Sequence, residues 1–124
     1  MKIDRRKAEA VFREYVSHYN AGEEKVRLKI EHTFRVAGLC RQIAESLGME
    51  EEEQDLAWFT GLLHDVGRFE QLKNYGTFID ADSIDHAEYG AQILFEQGKI
   101  REYTGEESED TLLWNAVRYH SAYR

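Results

Sequence analysis

A histidine and an aspartate, His64 and Asp65, stand side by side directly after an apolar run that includes Trp58, Phe59, Leu62 and Leu63. Buried polar groups without a partner are costly, so these two side chains need one. Nothing in helix packing favours such a pair. Imidazole together with carboxylate suits zinc, iron, manganese or nickel. The pair therefore indicates a metal site.

Three more histidines, His32, His86 and His120, fall at the ends or flanks of other predicted helices. Helical bundles commonly build metal sites in which each helix contributes one inward-facing ligand. Taken alone, each of these histidines is more often a hydrogen-bonded structural group than a ligand. The remaining histidine, His18, lies off the apolar stripe of its predicted helix and is expected to be an ordinary surface residue.

Composition limits the classes of partner. The 124 residues suit a single domain, with an N-terminal helix in residues 1–22 and the metal-site core in 23–124. A formal net charge of −8 argues against a nucleic-acid polymer or an anionic membrane surface. A small anionic substrate remains compatible if a metal or a local arginine reverses the field inside a pocket. Cys40 is the single cysteine, which excludes an internal disulfide and argues against thiol-rich metal sites.

The chain also lacks the features of an exported or membrane protein. Its N-terminus has no apolar signal-peptide core, and no apolar run approaches the roughly 18 to 20 residues of a membrane span. Together with the single cysteine, these features predict a cytoplasmic protein.

The absence of proline leaves glycine to separate long stretches of helical periodicity, which predicts an all-α fold. Arg68 is expected to begin an irregular or short helical segment, with Gly67 letting the chain turn before it. Lys73 to Ser83 has loop chemistry and is long enough to form a pocket wall. The predicted helices run from Asp4 to about Asn20, Glu23 to Leu47, Glu50 to Asp65, Ser83 or Ile84 to Gln97, and Thr111 to about His120.

Two motifs carry a family resemblance. The stretch His32-Thr33-Phe34-Arg35-Val36 and the stretch His64-Asp65-Val66-Gly67-Arg68 resemble the first-histidine helix and the central HDxGK motif of the HD-domain superfamily of metal-dependent phosphohydrolases. The resemblance extends from about residue 25 to the end of the chain. It implies an HD-domain-like helical bundle in which His32, His64 and Asp65 bind a divalent metal.

Within that superfamily, His86 and His120 match the extra histidines of the dinuclear branches. In those branches Asp65 would bridge two ions, and His86 and His120 would hold the second. One dinuclear branch has two consecutive histidines where this chain has His120-Ser121. The single histidine therefore favours other branches, such as those that cleave dinucleoside polyphosphates. The implied cofactor is one or two divalent ions of Mn, Fe, Ni, Co or Zn.

The resemblance further implies a reaction. Divalent ions lower the pKa of bound water and can hold a phosphoryl oxygen during in-line attack. Asp65 and Arg68 are the expected catalytic residues. Arg68 would bind a substrate phosphate, for which its planar guanidinium is suited, or else form a surface ion pair with Glu70 or Asp65. Arg35 is expected either to bind the substrate or to hold in place a carboxylate next to the metal ligands. Three aromatic residues could line a nucleobase pocket or could instead lie in the core or at the rim of the bundle: Tyr75, Phe78 and Tyr89.

One family feature is missing. The mononuclear site is completed by an aspartate on a later helix, and this chain stops at Arg124 before such a helix could form. The sequence is therefore expected to be truncated at its C-terminus, with substitution by Asp80, Asp82 or Asp85 as the weaker alternative.

The predicted function is a metal-dependent phosphohydrolase acting on a phosphate ester or anhydride of a nucleotide or related small molecule. The alternatives are a non-catalytic HD-type module that senses a nucleotide or a metal, and a purely structural helical interaction domain. The substrate and the oligomeric state stay open.

Overall fold

The computed structural model describes residues 2–120, and its regular structure there is entirely helical. The all-α prediction is thereby confirmed. None of the helices in this part of the chain combines the length and apolar character needed to cross a bilayer. The helices are α1 Arg5–Val16, α2 Glu24–Ser46, α3 Glu51–Leu63, α4 Gly67–Tyr75, α5 His86–Ala91, α6 Ile100–Tyr103 and α7 Asp110–Tyr119. A 3₁₀ turn, Asp80–Asp82, precedes α5, and a π-helical segment, Gln92–Glu96, continues it.

Local sequence signals account for several helix ends. The Asp4 carboxylate accepts a hydrogen bond from the backbone N–H of Lys7 at 3.1 Å and caps α1. Gly48 follows α2 with φ of 73°, and its N–H donates to the carbonyl of Glu45. This left-handed conformation carries little penalty for glycine and ends the helix as predicted.

The predicted boundaries differ from the structure at the end of α1, after Gly67 and before α7. α1 ends at Val16, before Asn20, because the Ser17 hydroxyl bonds the Glu14 carbonyl at 2.6 Å and competes with the helical pattern. The segment after Gly67 is the regular helix α4. The short helix α6 lies between the predicted helices that end at Gln97 and begin at Thr111, where the sequence predicts no helix.

A continuous apolar core draws on all seven helices. The fully buried rings of Phe12 and Phe69 meet edge to face, with centroids 6.0 Å apart. The helices α2 and α3 form the most extensive contact and approach closely at Gly61, where an added Cβ would lie 2.8 Å from the Cα of Ala37. The buried residues of α3 all lie between Trp58 and Leu63, so its C-terminal end lies inside the bundle.

The helices α4 and α5 cross at two glycines. A Cβ added to Gly67 would lie 2.2 Å from the backbone oxygen of His86 and 2.8 Å from the nitrogen of Gly90. Gly67 does not have a positive φ, so its conformational freedom is not what the fold uses. The missing side chain instead lets α5 pack against the start of α4, which brings His86 next to the end of α3.

Candidate metal centre

Four helices deliver the predicted ligands. His32 lies within α2, His64 and Asp65 follow the last residue of α3, His86 opens α5, and His120 follows α7. The core described above holds these helices against one another, so residues far apart in the chain meet at the end of α3. The structure brings all five predicted ligands together.

The carboxylate of Asp65 is the centre of this arrangement. It is 5% exposed. Its Oδ2 atom lies 3.3 Å from Nε2 of His32 and 3.2 Å from Nε2 of His64. Its Oδ1 atom lies 3.3 Å from Nε2 of His86 and 3.4 Å from Nε2 of His120. Each oxygen of a single carboxylate therefore faces a different pair of histidines.

Hydrogen bonds at Nδ1 orient three of the rings. Nδ1 of His64 lies 2.6 Å from the carbonyl oxygen of Gly61, and Nδ1 of His120 lies 2.8 Å from that of Val117. A carbonyl oxygen only accepts, so each Nδ1 must carry a proton and donate it. In the neutral ring the lone pair is then on Nε2, the atom that faces Asp65. Fixing the tautomer in this way is typical of metal-binding histidines.

His86 is oriented by a carboxylate. Its Nδ1 donates to Oδ2 of Asp80 at 2.7 Å, and the other Asp80 oxygen accepts from Nη1 of Arg68 and Nε2 of Gln71, both at 2.9 Å. His86 is 2% exposed and Gln71 is fully buried. These contacts hold Asp80, and through it the ring of His86, in one orientation. Asp80 therefore contacts one nitrogen of the His86 ring, and the other nitrogen of that ring faces Asp65.

The spacing fits a cation. Nε2 of His86 and Nε2 of His120 are 3.0 Å apart, so either a proton on one of the two rings or a cation bound by both must separate the two nitrogens. In each of two groups of residues, the ligand atoms lie within 4.8 Å of one another. The first group is His32, His64 and Asp65, and the second is Asp65, His86 and His120. Ligand atoms bound to one ion at about 2.0 to 2.2 Å have separations in this range. The residues present therefore fit one or two divalent ions.

Electrostatics keep the carboxylate ionised. Burial alone would raise the pKa of Asp65, but hydrogen bonds from His120, His64 and His86 outweigh it and hold the pKa far below the usual range. Burial would lower the pKa of His120, whereas the Asp65 carboxylate and the Val117 carbonyl raise it above its ordinary value. Burial and the Lys29 ammonium lower the pKa of His32 despite Asp65. The surroundings of His120 therefore favour its protonated form, whereas those of His32 favour its neutral, ligating form.

The two predicted arginines have different surroundings. Nη1 of Arg68 donates to Asp80 and also to the carbonyl oxygen of Phe78 at 2.6 Å, so its ion pair is with Asp80, and not with Glu70 or Asp65. Its Nε is buried and has no hydrogen-bond partner within residues 2–120. Arg35 is exposed and makes no ion pair in the same part of the chain, so it does not brace a carboxylate there.

Three acids were considered as substitutes for the missing family aspartate. Asp80 bonds the far side of His86, and Asp85 accepts from the backbone N–H groups of Ala87 and Glu88 as the N-cap of α5. Asp82 is exposed in the 3₁₀ turn. None of the three belongs to the group formed by His32, His64 and Asp65. The sequence from 121 to the C-terminus lies outside the described residues.

Two residues at the centre were missed by sequence reasoning. Asp80 was considered only as a metal ligand, and Lys29 was not considered. Nζ of Lys29 lies 3.3 Å from Oδ2 of Asp65. Lys29 is one helical turn before His32 on α2, and this spacing was the available signal. His18, by contrast, is on the surface as predicted, with a side chain 70% exposed beside Glu14.

Comparison with known proteins agrees with this geometry. A family model described as the HD domain matches residues 30–123. The 3'3'-cGAMP-specific phosphodiesterase 1 of Vibrio cholerae serotype O1 is 28% identical over 100 residues, which are 73% of this chain and 23% of that protein. The chain thus spans less than a quarter of that relative's length. No solved structure matches at a significant level. The match to most of the chain and the helical bundle together confirm the family resemblance: the chain belongs to the HD-domain family of metal-dependent phosphohydrolases.

Proposed function

We propose that this chain hydrolyses a phosphate ester or anhydride of a nucleotide or related small molecule, using one or two divalent metal ions. The observation that carries the proposal is the position of Asp65, whose two oxygens face two separate pairs of histidine Nε2 atoms. A buried carboxylate arranged in this way suits a ligand shared between two ions. In the proposal His32 and His64 bind on one side of it, and His86 and His120 bind on the other.

The chemistry of such ions is general. When bound, they would supply an activated water as nucleophile and offset the charge that develops on the phosphoryl oxygens. The chain's own residues orient the participants. Asp80 holds the ring of His86, and the carbonyl oxygens of Gly61 and Val117 hold those of His64 and His120. A site whose ligands are fixed before substrate arrives needs little reorganisation during the reaction.

Arg68 enters the proposal as the residue that binds a substrate phosphate. Its Nη1 is occupied by Asp80 and by the carbonyl of Phe78, which fixes the guanidinium. Its Nε has no partner within residues 2–120 but is buried, so a phosphate would be met by Nη2, for which the same residues provide no acceptor. A guanidinium can give a phosphate a charge-assisted hydrogen bond, and a fixed one does so with little loss of side-chain freedom.

The relative from Vibrio cholerae supports a nucleotide substrate, since its name specifies a cyclic dinucleotide, 3'3'-cGAMP. The first compounds to test are therefore 3'3'-cGAMP and a generic diester, bis(p-nitrophenyl) phosphate, each with Mn²⁺. The cytoplasmic location predicted from composition remains part of the proposal.

The experiment compares the wild-type protein with the double variant His64→Ala, Asp65→Ala and with the surface variant His18→Ala. We expect near-stoichiometric Mn, Fe, Ni, Co or Zn by elemental analysis and hydrolysis of at least one compound. Both should be lost in the double variant and kept in His18→Ala. Metal retained by the double variant would refute the proposed ligands. Bound metal with no turnover of any phosphate compound would favour the sensing module instead.

A further inference from the structure

A groove beside the metal centre carries a charge opposite to that of the whole protein. It has a volume of about 490 Å³ and runs along α2. Its lining includes the cations Lys25, Lys29 and Arg35, the carboxylate of Glu31, and the ring of Phe78. Glu31 is already bound to Arg27 at 3.2 Å. Lys29 pairs with Asp65, but Lys25 and Arg35 make no ion pair within residues 2–120. In a chain with a formal net charge of −8, the groove is therefore a local concentration of positive charge.

Lys29 connects this groove to the metal centre. Its side chain is 17% exposed, and its Nζ lies 3.3 Å from Oδ2 of Asp65, the oxygen that also faces His32 and His64. An ammonium on a flexible stem can donate three hydrogen bonds. A group that binds at Asp65 from the groove therefore lies close to Lys29.

Phe78 also lines the groove. Its ring lies 5.3 Å from Nζ of Lys29 and 5.7 Å from the guanidinium carbon of Arg68. The side chain is only partly buried, so part of the ring is accessible from the groove. A flat apolar surface next to a cation that reaches the metal centre suits a ligand with an aromatic ring and a phosphate, because bases stack on aromatic side chains.

We propose that Lys29 binds the phosphate of a nucleotide at the His32 side of Asp65 and that the nucleobase lies against Phe78. The nucleoside part of the substrate thus occupies the groove along α2. This inference rests on the proposed function only in that a phosphate group reaches Asp65.

The test measures equilibrium binding to the Mn²⁺-loaded protein, so it does not depend on turnover. The probes are a methylene phosphonate analogue of AMP, which resists hydrolysis, and inorganic phosphate. The variants are Lys29→Met and Phe78→Leu. The matched control is Lys7→Met, which removes one exposed positive charge from α1 outside the groove. Metal content is measured for each variant.

We expect Lys29→Met to weaken both probes about tenfold or more, since it removes a hydrogen bond to a charged group. Phe78→Leu should weaken the nucleotide analogue about fivefold or more and leave phosphate binding unchanged, since only the base stacks. Lys7→Met should match the wild type. Lys29→Met should also keep its metal.

Three results would overturn the inference. The first is Lys29→Met binding both probes as tightly as Lys7→Met does. The second is loss of metal from Lys29→Met, which would make Lys29 a residue that positions Asp65. The third is the absence of any binding of the analogue at millimolar concentration. Binding that depends on Lys29 without hydrolysis of any compound would instead refute the proposed function and leave this inference standing.

Discussion

Replacing Gly67 with alanine tests whether the approach of α4 to α5 builds the metal centre. The added Cβ would lie 2.2 Å from the backbone oxygen of His86, although real Cβ contacts are essentially never shorter than 3.0 Å. The atoms it meets are backbone atoms of α5, which cannot rotate away as a side chain can. α5 must therefore move by roughly 1 Å to restore an ordinary van der Waals separation.

Two opposing effects set the size of the change. Alanine is favoured over glycine in a helix by up to about 1 kcal/mol. Overpacking a close contact costs about 1–3 kcal/mol, and sometimes more. Because the added Cβ meets backbone atoms that cannot rotate away, we expect the second effect to dominate and the variant to lose about 1–2 kcal/mol of unfolding free energy. The displaced His86 should also bind metal less tightly, by about tenfold or more.

The assay is urea unfolding of the chelator-treated protein, followed by titration with Mn²⁺. Gly38→Ala is the matched control, because Gly38 lies within α2 and an added Cβ there meets nothing within 4 Å. This control should gain about 0.5–1 kcal/mol and bind metal as the wild type does. A Gly67→Ala protein as stable as the wild type, with unchanged metal affinity, would show that the close approach of α4 and α5 does not hold His86 in place.

Four further outcomes are expected. Asp80→Asn replaces the acceptor for the Nδ1 proton of His86, so metal affinity in a chelator competition should fall about 10- to 100-fold with folding retained; unchanged affinity would exclude this positioning role. The raised pKa of His120 means that protons compete with metal, so affinity should increase with pH until that proton is lost. In the metal-free protein, His120 should add stability at pH values below its unfolded pKa of about 6.5, and this should vanish as pH rises through the higher native pKa. The difference in unfolding free energy from His120→Gln should follow that course, and a constant difference would contradict it. Phe12→Ala should cost about 3–5 kcal/mol because the ring is fully buried, whereas Leu47→Ala, at a residue 68% exposed, should change stability by less than about 0.5 kcal/mol.

Local patterns predicted most of the helices and singled out the pair His64 and Asp65, whereas the full set of proposed ligands came from the family resemblance. The cap at Asp4 and the left-handed Gly48 depend on a few neighbouring residues, so they can be read from the sequence. The pairing of His64 with Asp65 at the end of a buried helix likewise needs no knowledge of distant parts of the chain. The meeting of all five ligands was inferred from the family resemblance, and the structure places them together.

What sequence reasoning missed depends on tertiary packing. Lys29 is 36 residues from Asp65, and a lysine on a helix is ordinarily a solvated side chain. Asp80 reaches His86 only because the chain folds back through a 3₁₀ turn. Gly67 resembles a turn residue in sequence, while its role in the structure is a close helix contact. The four-residue helix α6 is too short for periodicity to reveal.

The division of the ligands between near and distant helices has a consequence for the order of folding. His32, His64 and Asp65 belong to α2 and α3, which follow one another in the chain and share its most extensive helix contact. His86 and His120 are 34 residues apart and reach Asp65 only when α5 and α7 have both docked. Contacts between neighbouring elements form faster than contacts that close long loops. The first half of the site should therefore mature with the α2 and α3 pair, while the second half is completed in the last steps of folding.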